Sequence, residues 1–130
     1  MGDYVFGYPV RDATDSELKF FKSAPDTAGY AAEDGYIVLN PISKLTKAQK
    51  VSVAQNEAAR LWMRENNFDP KVKLTQEQIE SFIGTPYEGN STALRQTIIS
   101  RIISGDPSAG NVTDEQKAHA EWIRSRLINR

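Results

Sequence analysis

Asp34-Gly35-Tyr36-Ile37-Val38-Leu39-Asn40-Pro41 interrupts a chain that is otherwise patterned for helices. Glycine accepts positive φ without steric penalty, so Asp-Gly ahead of a short aromatic and β-branched run reads as a hairpin turn. The expectation is one small hairpin, with strands from Tyr30 to Ala32 and from Tyr36 to Leu39, closed by Asn40-Pro41. On both sides of it Thr is followed three residues later by Glu or Gln, at Thr14/Glu17, Thr46/Gln49, Thr75/Gln78 and Thr113/Gln116. This is the capping box. The Thr hydroxyl accepts from a first-turn amide, and the Glu or Gln side chain reaches back to the amide of the cap. Each box stabilises its helix by about 1 kcal/mol. Four boxes mark four helix starts, and Asn90 or Ser91 marks a fifth.

The spacing predicts helices over 15–23, 47–65, 76–83, 91–104 and 114–129. Pro25 ends the first, because proline disfavours helix in the residue before it. Leu18, Phe20 and Phe21 give that helix its apolar side. Val51, Ala54, Ala58, Leu61 and Trp62 form a stripe on the second. Leu74 and Ile79 stand at staple positions across the third cap. Leu94, Ile98 and Ile102 make one row on the fourth helix and Ile99 and Ile103 another, a broad face suited to the middle of a core. Gly105 and Asp106-Pro107 stop it. The fifth helix should bury Trp122, Ile123 and Leu127. Tyr4, Phe6 and Tyr8 alternate in the first twelve residues, which read as an extended arm. The fold expected is mainly α (α+β): about five helices with one small β-hairpin packed against them, in a single domain.

Composition removes several kinds of chemistry. The 130 residues contain no cysteine, which excludes disulfides, thiolate metal sites and a cysteine nucleophile, and suits a reducing compartment or the inside of a virus particle. Sixteen Lys and Arg against seventeen Asp and Glu give a net charge of -1, without the basic excess of a chain that grips nucleic acid through its backbone. Met1-Gly2-Asp3-Tyr4-Val5-Phe6 lacks a basic region and a long apolar run, so no signal peptide is expected, and Phe6 occupies the place where myristoylation wants Ser or Thr. No apolar run is long enough to span a bilayer. Composition alone fits the cytoplasm or the inside of a virus particle.

A strand ending in Asn40-Pro41, then a capped helix carrying Asn56-Glu57-Ala58-Ala59-Arg60, resembles the strand-then-helix entry to the active site of zincin metallopeptidases. In those families the helix carries H-E-x-x-H: two histidines bind zinc and the glutamate activates the metal-bound water. Here the glutamate matches, while Asn56 and Arg60 replace the histidines. The chain's one histidine, His119, cannot supply two imidazoles. The resemblance therefore implies no zinc peptidase. It leaves two readings of Asn56, Glu57 and Arg60: a solvated helix face with ordinary i,i+3 and i,i+4 pairs, which the modest strength of such pairs favours, or a small polar binding site. His119, at the edge of a buried stripe with no nucleophile at motif spacing, reads as structural. Arg95, Arg101, Arg124, Arg126 and Arg130 form a candidate basic patch, although cations in the last turn of a helix also complement its dipole. The loops 84–90 and 104–111 read as tight turns, with Tyr87 as a contact residue at the tip of the first.

Glu33-Asp34-Gly35-Tyr36-Ile37-Val38-Leu39-Asn40-Pro41, Asn56-Glu57-Ala58-Ala59-Arg60, Gly84-Thr85-Pro86-Tyr87 and Ser104-Gly105-Asp106-Pro107-Ser108-Ala109-Gly110 are together similar to a group of short proteins of tailed bacteriophages and prophages. The resemblance implies a virion component or an infection-stage accessory protein and transfers no catalytic residues. The function expected is non-enzymatic. The chain would contact a protein partner or a second copy of itself through Tyr4, Phe6, Tyr8, Tyr87 and the Asn56/Glu57/Arg60 face. No cofactor, metal or membrane contact is expected. Two alternatives remain: a degenerate zincin-like domain that binds a peptide in a cleft between hairpin and second helix, and a nucleic-acid-binding accessory protein using the basic patch.

Overall fold

The computed structural model describes residues 4–129, and Arg130 of the candidate basic patch lies outside them. Thr14, Thr46, Thr75 and Thr113 each cap a helix through a complete capping box: α1 (Asp15–Ser23), α2 (Lys47–Glu65), α3 (Gln76–Ser81) and α5 (Asp114–Ile128). Asn90 caps α4 (Ser91–Ser104), which ends at Gly105 in the left-handed conformation. A single 3₁₀ turn, Pro107–Ala109, follows. The third helix is shorter than the spacing suggests. It stops at Ser81, and Ile79 is 42% exposed, while the staple partner Leu74 packs beside Phe82, Leu94 and Ile98.

The boxes of α3 and α5 also meet each other. The buried side chains of Gln78 and Gln116 exchange amide hydrogen bonds of 2.8 and 2.7 Å, while each accepts from the amide of its own cap. Glutamine at both places is what such a pair needs: two glutamates would face each other as buried like charges.

Residues 4–12, the described part of the expected arm, are not extended away from the domain. They form β1 (Tyr4–Val5) and β2 (Tyr8–Arg11), joined through Phe6 and Gly7 at φ 51° and 80°. Positive φ at both central residues gives the turn the twist that a hairpin needs. β2 then runs parallel to β4 (Ile37–Leu39), which pairs antiparallel with β3 (Gly29–Ala31). The sheet order is therefore β1-β2-β4-β3, a four-stranded sheet where one hairpin was expected. Tyr8 is buried and its hydroxyl donates to Glu65 of α2, so it is a core residue and no contact residue.

Strand alternation sorts the core into two sides. Val38 turns toward α1 and meets Phe21 and Ala32, with Tyr30 packed against them. Ile37 turns the other way and joins Ala54, Ala58 and Leu61 of α2, Ile99 and Ile103 of α4, and Ile123 and Leu127 of α5. The layers are α1, sheet, α2, then α4 with α5. Seven residues of α4 are buried, in keeping with its broad apolar face. Small side chains, Ala54 and Ala58 on α2 and Thr97 and Ser100 on α4, let these two helices pack closely. Trp122, expected inside, is 46% exposed. It stacks on Phe68 with centroids 5.6 Å apart, and Phe68 in turn packs on Trp62. Val51 and Phe20 are likewise exposed. No helix among the described residues is long and apolar enough to cross a membrane.

Candidate functional site

Glu57 stands on α2 where that helix crosses the outer strand of the sheet. Ala32 N–H donates to Tyr36 C=O and Asn40 N–H to Ala28 C=O, both at 2.9 Å. Antiparallel alternation therefore turns the main-chain groups of Tyr30 toward β4 and those of Gly29 and Ala31 outward. Arg64 caps part of this edge, donating to the carbonyls of Ala31 at 3.3 Å and Ala32 at 2.8 Å. The strand lies close against α2. A Cβ on Gly29 would come within 2.8 Å of the Val38 oxygen and 3.1 Å of Val53, so glycine is required for this approach.

Two hollows meet here. One, of about 370 Å3, is lined by Ala31, Glu57, Arg60, Arg64, Asn67 and Gln96. The other, of about 210 Å3, is lined by Gly29, Ser52, Asn56, Glu57, Arg60 and Arg101, among others. Glu57 and Arg60 belong to both. The solvated helix face favoured for these residues from sequence is thus corrected: all three line a cleft between β3, α2 and α4. Burial pushes the Glu57 carboxyl up to about 7, against the opposing pull of Arg60, the Ala31 backbone and Arg64. Arg60 donates from Nε to Asn56 Oδ1 at 2.9 Å, the i,i+4 pair anticipated from sequence. Its other end reaches the Tyr87 hydroxyl at 3.5 Å and lies 5.6 Å from the centroid of that ring.

Comparison with known protein families, with curated proteins and with solved structures finds no match. The chemistry of the cleft rests on its own residues.

Asn56, Glu57, Arg60 and Tyr87 come together, although Tyr87 lies 27 positions after Arg60 on a loop whose arrival the local pattern does not announce. Arg101 joins them on the wall of the smaller hollow. The other contact candidates lie elsewhere: Tyr4 is exposed on β1, and Phe6 sits in the first turn beneath Arg124. Among the described residues, the four arginines of the candidate basic patch have separate surroundings. Arg95 forms an ion pair with Asp69 at 2.6 Å, Arg101 faces the cleft, Arg124 lies over Phe6 and Arg126 over Trp122. Sequence reasoning missed Arg64, Gln96 and Asp106. Arg64 falls four residues after Arg60 and seven after Glu57, a helical repeat that places all three on one face.

Among the described residues no group of three or more His, Asp or Glu is arranged to hold a metal ion. His119 borders a separate, mostly apolar hollow of about 510 Å3 with Phe68, Pro70, Lys71 and Trp122. The acid on that rim, Asp69, is already held by Arg95, which keeps its carboxyl down at about 2.

Proposed function

We propose that this chain is a non-enzymatic interaction protein that receives an extended segment of a partner in the cleft between β3 and α2. One observation carries the reading: Glu57 and Arg60, singled out in sequence, stand at the junction of two hollows beside a strand edge, where Gly29 turns its main-chain groups outward. A strand edge offers main-chain pairing to an extended chain, and polar side chains around it set register. No histidine stands where the zincin pattern needs one, so the glutamate is read as part of recognition and not hydrolysis. The likeness to short tailed-phage proteins supports a partner among virion or infected-host components, with a second copy of the chain as another candidate. The arginines described weigh against the nucleic-acid reading: Arg95 is paired with Asp69, Arg124 and Arg126 lie over Phe6 and Trp122, and Arg101 faces the cleft.

A displayed library of random peptides selected on the immobilised chain tests the reading. Enriched peptides should lose binding to Asn56→Tyr, which fills the cleft, and keep it to Lys19→Tyr on the exposed face of α1. The reading fails when selection enriches nothing, or when the enriched peptides bind both variants alike.

A further inference from the structure

The cleft holds cations whose hydrogen-bond donors the fold uses only in part. Arg60 and Arg101 both line the smaller hollow, and neither forms an ion pair among the described residues. Arg60 uses its Nε on Asn56 and keeps only a long contact with Tyr87. The Arg101 guanidinium donates no hydrogen bond to any described residue. Each is held from behind by an aromatic ring: Arg60 5.6 Å from the Tyr87 centroid, Arg101 5.0 Å from that of Phe82. The two rings are themselves packed edge to face at 6.1 Å. The chain between α3 and α4 therefore positions both cations at one wall. A guanidinium lying over a ring keeps its in-plane N–H donors for other partners.

Burial and the neighbouring Arg60 both disfavour the charge on Arg101, with Asp106 and Tyr87 as the opposing influences. Two partly desolvated cations with unused donors cost stability unless an anion joins them. Carboxylate matches the guanidinium fork. A dianion suits the place less well, because Glu57 and Asp106 line the same small hollow and would repel it.

We propose that Arg60 and Arg101 form a carboxylate-binding site, and that the carboxylate is that of a peptide, either its C-terminus or an acidic side chain. The outward main-chain groups of Gly29 then pair with the peptide bond next to that carboxylate. The peptide source rests on the function proposed above; the carboxylate site does not.

Three small probes separate the possibilities in nuclear magnetic resonance titrations of the full chain. N-acetylglycine carries a terminal carboxylate, N-acetylaspartic acid α-amide a side-chain carboxylate, and N-acetylglycinamide none. One of the first two should shift the Nε–H signals of Arg60 and Arg101 and the amide of Gly29 in a saturable way, and the third should not. Arg101→Ala should weaken that probe about tenfold, Arg101→Lys less, and Arg124→Ala not at all. Equal shifts from N-acetylglycinamide, wild-type affinity in Arg101→Ala, or tighter binding of inorganic phosphate would each overturn the site. Library peptides that bind equally well to Arg101→Ala would overturn the peptide as the source of the carboxylate and leave the peptide reading standing. Probe binding with no peptide enriched would do the reverse.

Discussion

Tyr30 and Ala31 are neighbours on one strand, yet they face two opposite uses of the same charged side chains. On the α1 side, Arg11 grips Glu17 with two bonds of 2.6 and 2.9 Å and reaches Asp34 at 3.2 Å. Glu17 also accepts from the Thr14 amide and the Tyr30 hydroxyl. Arg11 and these bonds hold its carboxyl well below the usual carboxylate range. On the α2 side, Glu57 has no close ion pair among the described residues, and burial raises it to about 7. Arg60 and Arg101 keep donors unused. Charge that is fully paired fastens α1 to the sheet; charge left incompletely paired in a cleft is available to something else.

Glu57→Gln breaks the comparison most sharply. The carboxyl titrates near 7 in the folded chain and about 4.5 when free. Between those values the folded chain holds more of the proton than the unfolded chain, so stability falls as pH rises through that window. Above it, the charged carboxyl costs up to about 3 kcal/mol, which an uncharged side chain of the same shape escapes. Glu57→Gln should be more stable than wild type in urea denaturation at about pH 8, with the difference fading toward about pH 4.5. A difference independent of pH, or a less stable variant throughout, would mean that this carboxyl is as well satisfied as Glu17.

Arg11→Ala probes the paired side with the opposite sign. It leaves Glu17 without its fork and should cost about 2 kcal/mol, read from thermal melts. The lowered Glu17 contributes stability that is present above the free value of 4.5 and is lost as pH falls. Wild type should therefore weaken steeply in acid and Arg11→Ala more gently, so that the two melting curves converge. Parallel acid profiles would show that Arg11 is not what holds Glu17 down.

The helices were legible because their starts are written locally. A Thr and a Glu or Gln three positions apart need no distant partner to declare a cap, and all four boxes form. The N-terminal hairpin was not read, because its turn places Phe6 at positive φ, where a non-glycine residue is uncommon, and because Pro9 demotes a strand. The parallel pairing of β2 with β4 joins Val10 to Ile37 across α1 and β3, a relation with no local mark. Trp122 shows the limit of periodicity. It borders the buried stripe, but the ring is wide enough to stack sideways on Phe68 while half of it stays in water. In the site, Asn56, Glu57 and Arg60 were visible as one helix face. Whether that face met water or a strand edge depended on where β3 ran, and the pattern of α2 cannot express that. Arg101 was noticed, but as one cation in a patch; its place beside Arg60 is set by α2 and α4 packing together.

Two tyrosines give the smallest and finest test. Tyr30 and Tyr87 each serve a charged cluster, one by its hydroxyl and the other by its ring. Tyr30 donates to Glu17 at 2.5 Å, and burial together with that bond pushes its phenol up to about 12. Tyr30→Phe removes a donor from a charged acceptor and should cost about 1 kcal/mol. The Tyr87 hydroxyl lies 3.5 Å from Arg60, at the outer limit of hydrogen bonding, whereas its ring supports the guanidinium and packs against Phe82. Tyr87→Phe keeps both ring contacts, so stability should change by less than about 0.5 kcal/mol. Binding of the carboxylate probe should change by less than about twofold in Tyr87→Phe and fall clearly further in Tyr87→Ala, where Arg60 loses its platform. If Tyr87→Phe impaired the probe as much as Tyr87→Ala, the hydroxyl would be what orients Arg60. The cleft would then be organised by hydrogen bonding, as the Arg11 side is, and the contrast between the two faces of the sheet would narrow to how completely their charges are paired.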